Sequence, residues 1–207
     1  MAKAPIPGLV KTRLAATVGY QAAAELASLA LLDSIEACNA TGYDCHLALA
    51  GSLATAVGGS DLTDALAGWR VFDQVGDGFG DRLAHAHAST PGPVLQIGMD
   101  TPQLTAANLS DAALALDSDP AVLGPATDGG WWLLGLRDPA EAACLADVPM
   151  STPQTGELTR DALIARGLRV ALTSELEDVD TSAEAERVAA IGRTRFGRAW
   201  QSLVVAQ

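Results

Sequence analysis

Pro93-Val-Leu-Gln-Ile-Gly-Met-Asp-Thr-Pro102 is the stretch on which the fold turns. Pro93 to Gly98 is a short, mostly apolar run, the pattern of a strand buried on both faces. It leads straight into Asp100, and the Thr101-Pro102 pair disfavours helix at Thr101. A helix follows from about Thr105 to Leu116. The carboxylate is therefore held at the carboxyl end of a strand, where open α/β sheets collect their ligands. This is a metal ligand's position, and also that of an ordinary N-cap Asp in a strand-to-helix turn.

The rest of the chain repeats this alternation. Leu26, Leu29, Leu32 and Ile35 recur every three residues and predict a helix from about 18 to 39 with one apolar stripe. Strands are expected at Cys45 to Ala50, Trp69 to Val75 and Leu168 to Thr173, with helices at Asp81 to Ser89 and Gly156 to Arg166. Val122 to Pro125 and Trp131 to Leu136 are apolar runs separated by Thr127-Asp-Gly-Gly130, either a hairpin or two strands with a functional loop between them. A final helix begins after Asp180, because Thr181-Ser-Ala-Glu184 has the form of a capping box. Short apolar strands alternating with helices indicate a three-layer α/β domain on a largely parallel central sheet. The 207 residues suit a single domain spanning 1–207.

Composition narrows the partners. With 13 basic and 25 acidic side chains the net charge is -12, which repels duplex nucleic acid and anionic membranes. No apolar segment approaches a membrane span and no signal segment is evident, so cytoplasm is the expected location. Cys38, Cys45 and Cys144 are widely spaced and read as reduced thiols. The chain has two lysines, Lys3 and Lys11, and both fall with Arg13 in one Pro/Gly-rich stretch at its start. That cluster in an acidic chain points to an anion, phosphate first, although a solvated terminus would look the same.

Asp180, within Glu177-Asp-Val-Asp-Thr181, is a second corner carboxylate, and Asp178 is placed to share its role. Two carboxylates from separate corners, with phosphate oxygens and water, would make a typical Mg²⁺ or Mn²⁺ shell. Asp128 lies between core runs beside Gly129, Gly130, Trp131 and Trp132, where glycines allow close approach and indoles offer a flat wall for a base or sugar. A simple glycine turn is the alternative there. His85 and His87 are two apart on a helix and face different ways, so neither receives a role. Gly76-x-Gly-x-Gly80 lacks the full dinucleotide fingerprint and comes too late in the chain to serve as one.

Four ordered motifs, Ala2-Lys-Ala-Pro-Ile-Pro-Gly-Leu-Val-Lys-Thr-Arg-Leu14, Gln74-x-Gly-Asp-Gly-Phe-Gly-Asp-Arg-Leu83, Ile97-Gly-Met-Asp-Thr-Pro-Gln-Leu104 and Leu123-Gly-Pro-Ala-Thr-Asp-Gly-Gly-Trp-Trp-Leu-Leu-Gly-Leu136, resemble the bacterial DUF2064 family. Its members are often labelled glycosyltransferases or radical-SAM/selenodomain-associated transferases. The resemblance implies the Rossmann-like GT-A nucleotide-diphospho-sugar transferase fold. It also implies phosphate or nucleotide binding by Lys3, Pro7, Gly8, Lys11, Thr12, Arg13, Gln74 and Gly80, and metal binding by Asp100 and Asp180. Asp128 to Trp132 would then face the sugar or acceptor. The family carries an apolar strand before Ala-Lys-Ala-Pro, whereas only Met1 precedes it here. The first strand is therefore expected to be truncated, with the start assigned too late.

Two enzymatic readings follow. In nucleotidyl transfer an acceptor attacks the α-phosphorus of an NTP while Lys11 and Arg13 neutralise the departing pyrophosphate. In glycosyl transfer NDP leaves a sugar carbon and Asp128 activates the acceptor. The several cations, and the absence of an Asp-x-Asp at Asp100-Thr-Pro102, favour the first. A nucleotide-binding scaffold without catalysis is the alternative from another class.

Overall fold

The computed structural model describes residues 1–205. In chain order the elements are β1 (Ala2–Lys3), α1 (Thr12–Val18), α2 (Tyr20–Asn39), β2 (His46–Ala50), α3 (Gly59–Ala65), β3 (Arg70–Asp73), α4 (Phe79–Ala88), β4 (Val94–Ile97), α5 (Ala106–Ser118), β5 (Ala121–Pro125), β6 (Trp131–Leu136), α6 (Thr155–Ala165), β7 (Val170–Leu172), α7 (Ser182–Ile191) and α8 (Arg195–Val205). Short 3₁₀ turns occupy Leu53–Thr55 and Pro139–Asp147. One sheet has the order β1-β2-β3, the other β4-β6-β5-β7. β1 and β2 pair in parallel, as do β5 and β7, while β6 lies antiparallel to both β4 and β5. In the four-stranded sheet β6 alone thus runs against the rest, so the α/β fold is built on a mostly parallel sheet. The Val122 to Leu136 region resolves as a hairpin.

The chain divides into two compact units, neither contiguous in sequence. Of the described residues, the first takes Ala2–Val71, Met99–Ala106 and those from Glu177 to Val205; the second takes Met1, Phe72–Gly98 and Ala107–Leu176.

In the first unit α2 is the central pillar. Ala27, Leu31 and Ile35 join Leu47, Leu49, Leu62 and Met99 in one core, whereas Leu26 and Ala30 join Leu14, Val179, Val188, Phe196 and Trp200 in another. A helix buried in two directions shows no single stripe, and Leu29 and Leu32 are only half-buried. Small alanines are what let both layers approach it. The expected helix from about 18 to 39 is α2; a separate helix, α1, precedes it, with Gly19, at φ 82, between the two. Thr12 and Arg13 are therefore helical rather than part of a loop. β1 is short, with Ala2 opposite Leu49 and Lys3 opposite Ala50.

A buried carboxylate ties α8 to α2. Asp33 is 8% exposed and accepts hydrogen bonds from the backbone N–H groups of Arg195 and Phe196, both at 2.9 Å, and from Arg195 Nη1 at 3.3 Å. Replacing it by Ala would strand two backbone donors at a helix start. Asp33→Ala is therefore expected to cost about 2–4 kcal/mol, read from urea unfolding midpoints. A loss below ~0.5 kcal/mol would show that water replaces the carboxylate at no cost.

In the second unit Leu83, Leu123, Leu134, Leu136, Leu145 and Leu163 form the core. Gly80 is fixed by packing, since a Cβ there would lie 2.1 Å from the Leu145 carbonyl oxygen. His87, on α4, is fully buried and neither ring nitrogen has a partner among the described residues. Burial, with the positive amino terminus as a lesser cause, lowers its pKa to about 4. The unfolded chain takes up this proton near pH 6.5 and the folded chain only near pH 4. Stability is thus intact above pH 6.5 and falls between those values, by about 3 kcal/mol in all. His87→Leu is expected to remove that slope, measured as unfolding free energy at pH 7 and pH 4.5. An equal slope in both proteins would put the acid sensitivity elsewhere.

Candidate functional site

The first unit brings four of the expected residues together. Lys11 is the N-cap of α1 and adopts a left-handed backbone, φ 47 and ψ 43, without being glycine. Among the described residues it shares positive φ outside glycine only with Ser151. Such strain persists where surroundings impose it. Here the surroundings are two carboxylates: the Lys11 ammonium lies 2.5 Å from Asp100 Oδ1 and 3.1 Å from Asp180 Oδ1. Arg13 Nη1 reaches Asp180 Oδ2 at 3.5 Å from an exposed position. The corner thus holds two positive and two negative side chains. Burial pulls the Lys11 pKa down, but the charges of Asp100 and Asp180 and their hydrogen bonds outweigh it, leaving the value above the usual 10.5. Lys11 stays charged.

Backbone ties bring the two acidic corners together. The Val179 N–H donates to the Asp100 carbonyl at 2.9 Å, and Gln103 Nε2 donates to the Glu177 carbonyl at 2.7 Å. Thr101 Oγ1 donates to Asp178 Oδ1 at 2.5 Å, so Asp178 serves as a strut for the Asp100 turn. The capping box forms as expected, with Glu184 Oε2 accepting from the N–H groups of both Asp180 and Thr181 at 2.7 Å. The turns that carry Asp100 and Asp180 are thereby tied by hydrogen bonds. The two aspartate side chains are 40% and 44% exposed, against 6% for that of Lys11.

Lys3, Pro7, Gly8 and Thr12 lie in the same unit, at the surface. Gly8 adopts φ 83 in the turn between Ile6 and Leu9.

The other expected residues belong to the second unit, and several prove to have local duties. Gln74 is half-buried just beyond β3, and Gly80 is the packing glycine described above. Asp128 is exposed and accepts from the Gly130 N–H at 2.8 Å, an Asx-type turn that shapes the hairpin. Gly129, at φ +87, packs where a Cβ would fall 1.9 Å from the Pro153 carbonyl oxygen, and its own carbonyl accepts from the Gly156 N–H at 2.8 Å. The expectation of a paired indole wall is corrected. Trp132 is 1% exposed, lies over Gly124, and donates from Nε1 to the Ser174 carbonyl at 3.0 Å. Trp131, half-buried, packs on the core and donates to Thr159 Oγ1 at 3.2 Å. Trp132 reads as core because it sits at the bulge between Gly124 and Pro125, where strand alternation gives no guide to its facing.

The donor set suits a hard divalent cation bound with a ligand. Two carboxylates converge on one point and keep an open side, as Mg²⁺ requires when phosphates and water complete its shell. Among the described residues no group of three or more His, Cys, Asp or Glu would cage a metal by itself. No helix of the described residues is long and apolar enough to cross a membrane.

A family model described as an uncharacterized protein conserved in bacteria, DUF2064, matches residues 31–152. The match includes Asp100 and the Asp128 hairpin and leaves Lys3 to Arg13 and Asp180 outside it. Among solved structures, a proposed nucleotide-diphospho-sugar transferase from Desulfovibrio desulfuricans G20 is similar at 24% identity, TM-score 0.82, covering 99% of this chain and 94% of that one. A CMP:2-keto-3-deoxy-manno-octonic acid synthetase complexed with CTP is similar at 13% identity and TM-score 0.53, covering 78% of this chain and 86% of that one. A 4-diphosphocytidyl-2C-methyl-D-erythritol synthase from Anaerococcus prevotii DSM 20548 is similar at 10% identity and TM-score 0.56, covering 98% and 96%. No curated protein matches the chain. The fold is that of the nucleotide-diphospho-sugar transferases.

Proposed function

The chain belongs to the DUF2064 family, and from that premise we propose that it is a metal-assisted, nucleotide-dependent transferase whose reacting phosphates bind at the Lys11–Asp100–Asp180 corner. The observation that carries this reading is the convergence of two half-exposed carboxylates from separate corners on one ammonium. Strained backbone at Lys11 adds weight, since strain collects at functional sites.

Asp100 and Asp180 would hold Mg²⁺ or Mn²⁺, which when bound supplies Lewis-acid neutralisation of phosphate charge. Glu184 and the Val179 N–H keep these carboxylates aligned. Arg13 meets phosphate charge from the exposed side, and Lys11 contributes the second cation. We favour nucleotidyl transfer, in which an acceptor oxygen bonds to the α-phosphorus of an NTP and pyrophosphate departs. The two cations suit that leaving group, and two of the similar structures carry names of cytidylyl-type synthases. Glycosyl transfer with departure of NDP is supported by the Desulfovibrio relative's description. Cytoplasm, where nucleotides are abundant, fits either.

The test is a thermal-shift panel of NTPs and NDP-sugars with and without Mg²⁺, followed by product analysis of the best stabiliser. Pyrophosphate release is expected. NDP release would move the reading to glycosyl transfer, and no stabilisation by any nucleotide would leave the scaffold.

A further inference from the structure

We infer that Lys11 is a resident cation which the corner releases when a divalent ion binds, so that Lys11 reaches phosphate only after the metal has taken its place. This rests on the reading of the corner as a metal and nucleotide site.

Three observations converge. First, the Lys11 ammonium occupies the point on which Asp100 and Asp180 converge, at 2.5 and 3.1 Å, which is where a shared divalent ion would sit. Ammonium and metal compete for the same oxygens. Second, the exposures run opposite to those of a phosphate-binding lysine. The Lys11 side chain is 6% exposed while the carboxylates are 40% and 44% exposed. An incoming anion would meet two carboxylates before the ammonium, whereas an incoming cation would meet open carboxylate edges. Third, cations are not in excess: Lys11 and Arg13 face Asp100 and Asp180, with the carboxyl groups of Asp178 and Glu184 bonded to the same turns. Such a corner has little pull on a polyphosphate, and a divalent ion changes the local charge by +2.

The lysine has the means to move. Its charge rides on a flexible four-carbon stem, and the turn from Ile6 to Leu9 just before it is largely exposed. Its φ of 47 marks a backbone held by its surroundings. Metal and nucleotide binding are then coupled twice over, once through metal-phosphate contact and once through the freed ammonium.

The chain's two lysines make the test direct. Reductive methylation of the full chain, followed by peptide mass spectrometry, reads Lys3 and Lys11 separately in EDTA, in Mg²⁺, and in Na⁺ at matched ionic strength. Lys3 is expected to react equally in all three, and Lys11 roughly tenfold faster in Mg²⁺ than in the other two. Lys11→Met, which keeps the stem's bulk and removes the competing charge, is expected to bind Mg²⁺ roughly tenfold tighter by calorimetry without nucleotide. A Lys11 rate unmoved by Mg²⁺ at concentrations that bind the protein, or a variant binding Mg²⁺ no tighter than the parent, overturns the exchange. The nucleotide arm separates the two ideas. If Mg²⁺ frees Lys11 but no NTP or NDP-sugar then protects it, the exchange stands and the nucleotide reading falls. If Mg²⁺ with an NTP stabilises the protein while Lys11 stays slow, the reverse holds.

Discussion

Asp100→Ala is expected to lower turnover by about 10³-fold or more while costing only ~1 kcal/mol of stability. The carboxylate is the nearer partner of Lys11, at 2.5 Å, and a corner ligand for the metal, so its loss removes both functions. Stability suffers less for two reasons. Asp180 remains 3.1 Å from the ammonium, so Lys11 is not left as an unpaired buried charge. Asp100 is also 40% exposed, and solvent already screens much of the pair. The Asp100 backbone carbonyl, which accepts from Val179, is untouched by the substitution. Product formation and urea midpoints, measured on Asp100→Ala and Asp100→Asn together, check both halves. Turnover within a factor of about three of the parent would remove Asp100 from the chemistry. A stability loss above ~4 kcal/mol would make it a structural ion-pair partner instead.

Asp100 was legible because a strand followed by a carboxylate and an X-Pro pair is a local pattern, complete within ten residues. The same holds for Thr181 and Glu184, whose capping box needs only i and i+3. Legibility ended where partners are distant in sequence. Asp33 is 162 residues from Arg195, and an Asp in a helical stretch is indistinguishable from a solvated one until α8 arrives above it. Two-sided burial of α2 was hidden likewise, since periodicity reports how a helix faces one neighbour and α2 has several. The glycines of the Asp128 hairpin offered a further ambiguity. Close approach of ligand and close approach of backbone require the same residue, and here the Pro153 carbonyl fills the space at Gly129. The sequence marks Lys11 as a cation near an expected anion site, but its partners lie 89 and 169 residues away, and only the structure gives it the added role of counter-ion to two carboxylates.

That added role gives Lys11→Met its diagnostic value. The variant is expected to lower kcat by about 10²-fold, as removal of a charge that meets the developing negative charge of a leaving group does. Loss of activity from a damaged metal site would come with weaker Mg²⁺ binding. Here metal binding is expected to strengthen, because Asp100 and Asp180 no longer have an ammonium between them. The two readouts move in opposite directions, which a misfolded or collapsed corner would not produce. KM for the metal-nucleotide complex supplies the remaining distinction. If Lys11 contacts phosphate equally before and during reaction, KM rises and kcat holds; if its contact strengthens as charge develops, kcat falls and KM changes little. Wild-type kcat in Lys11→Met would remove the lysine from the chemistry and leave it a structural counter-ion, whatever its effect on Mg²⁺.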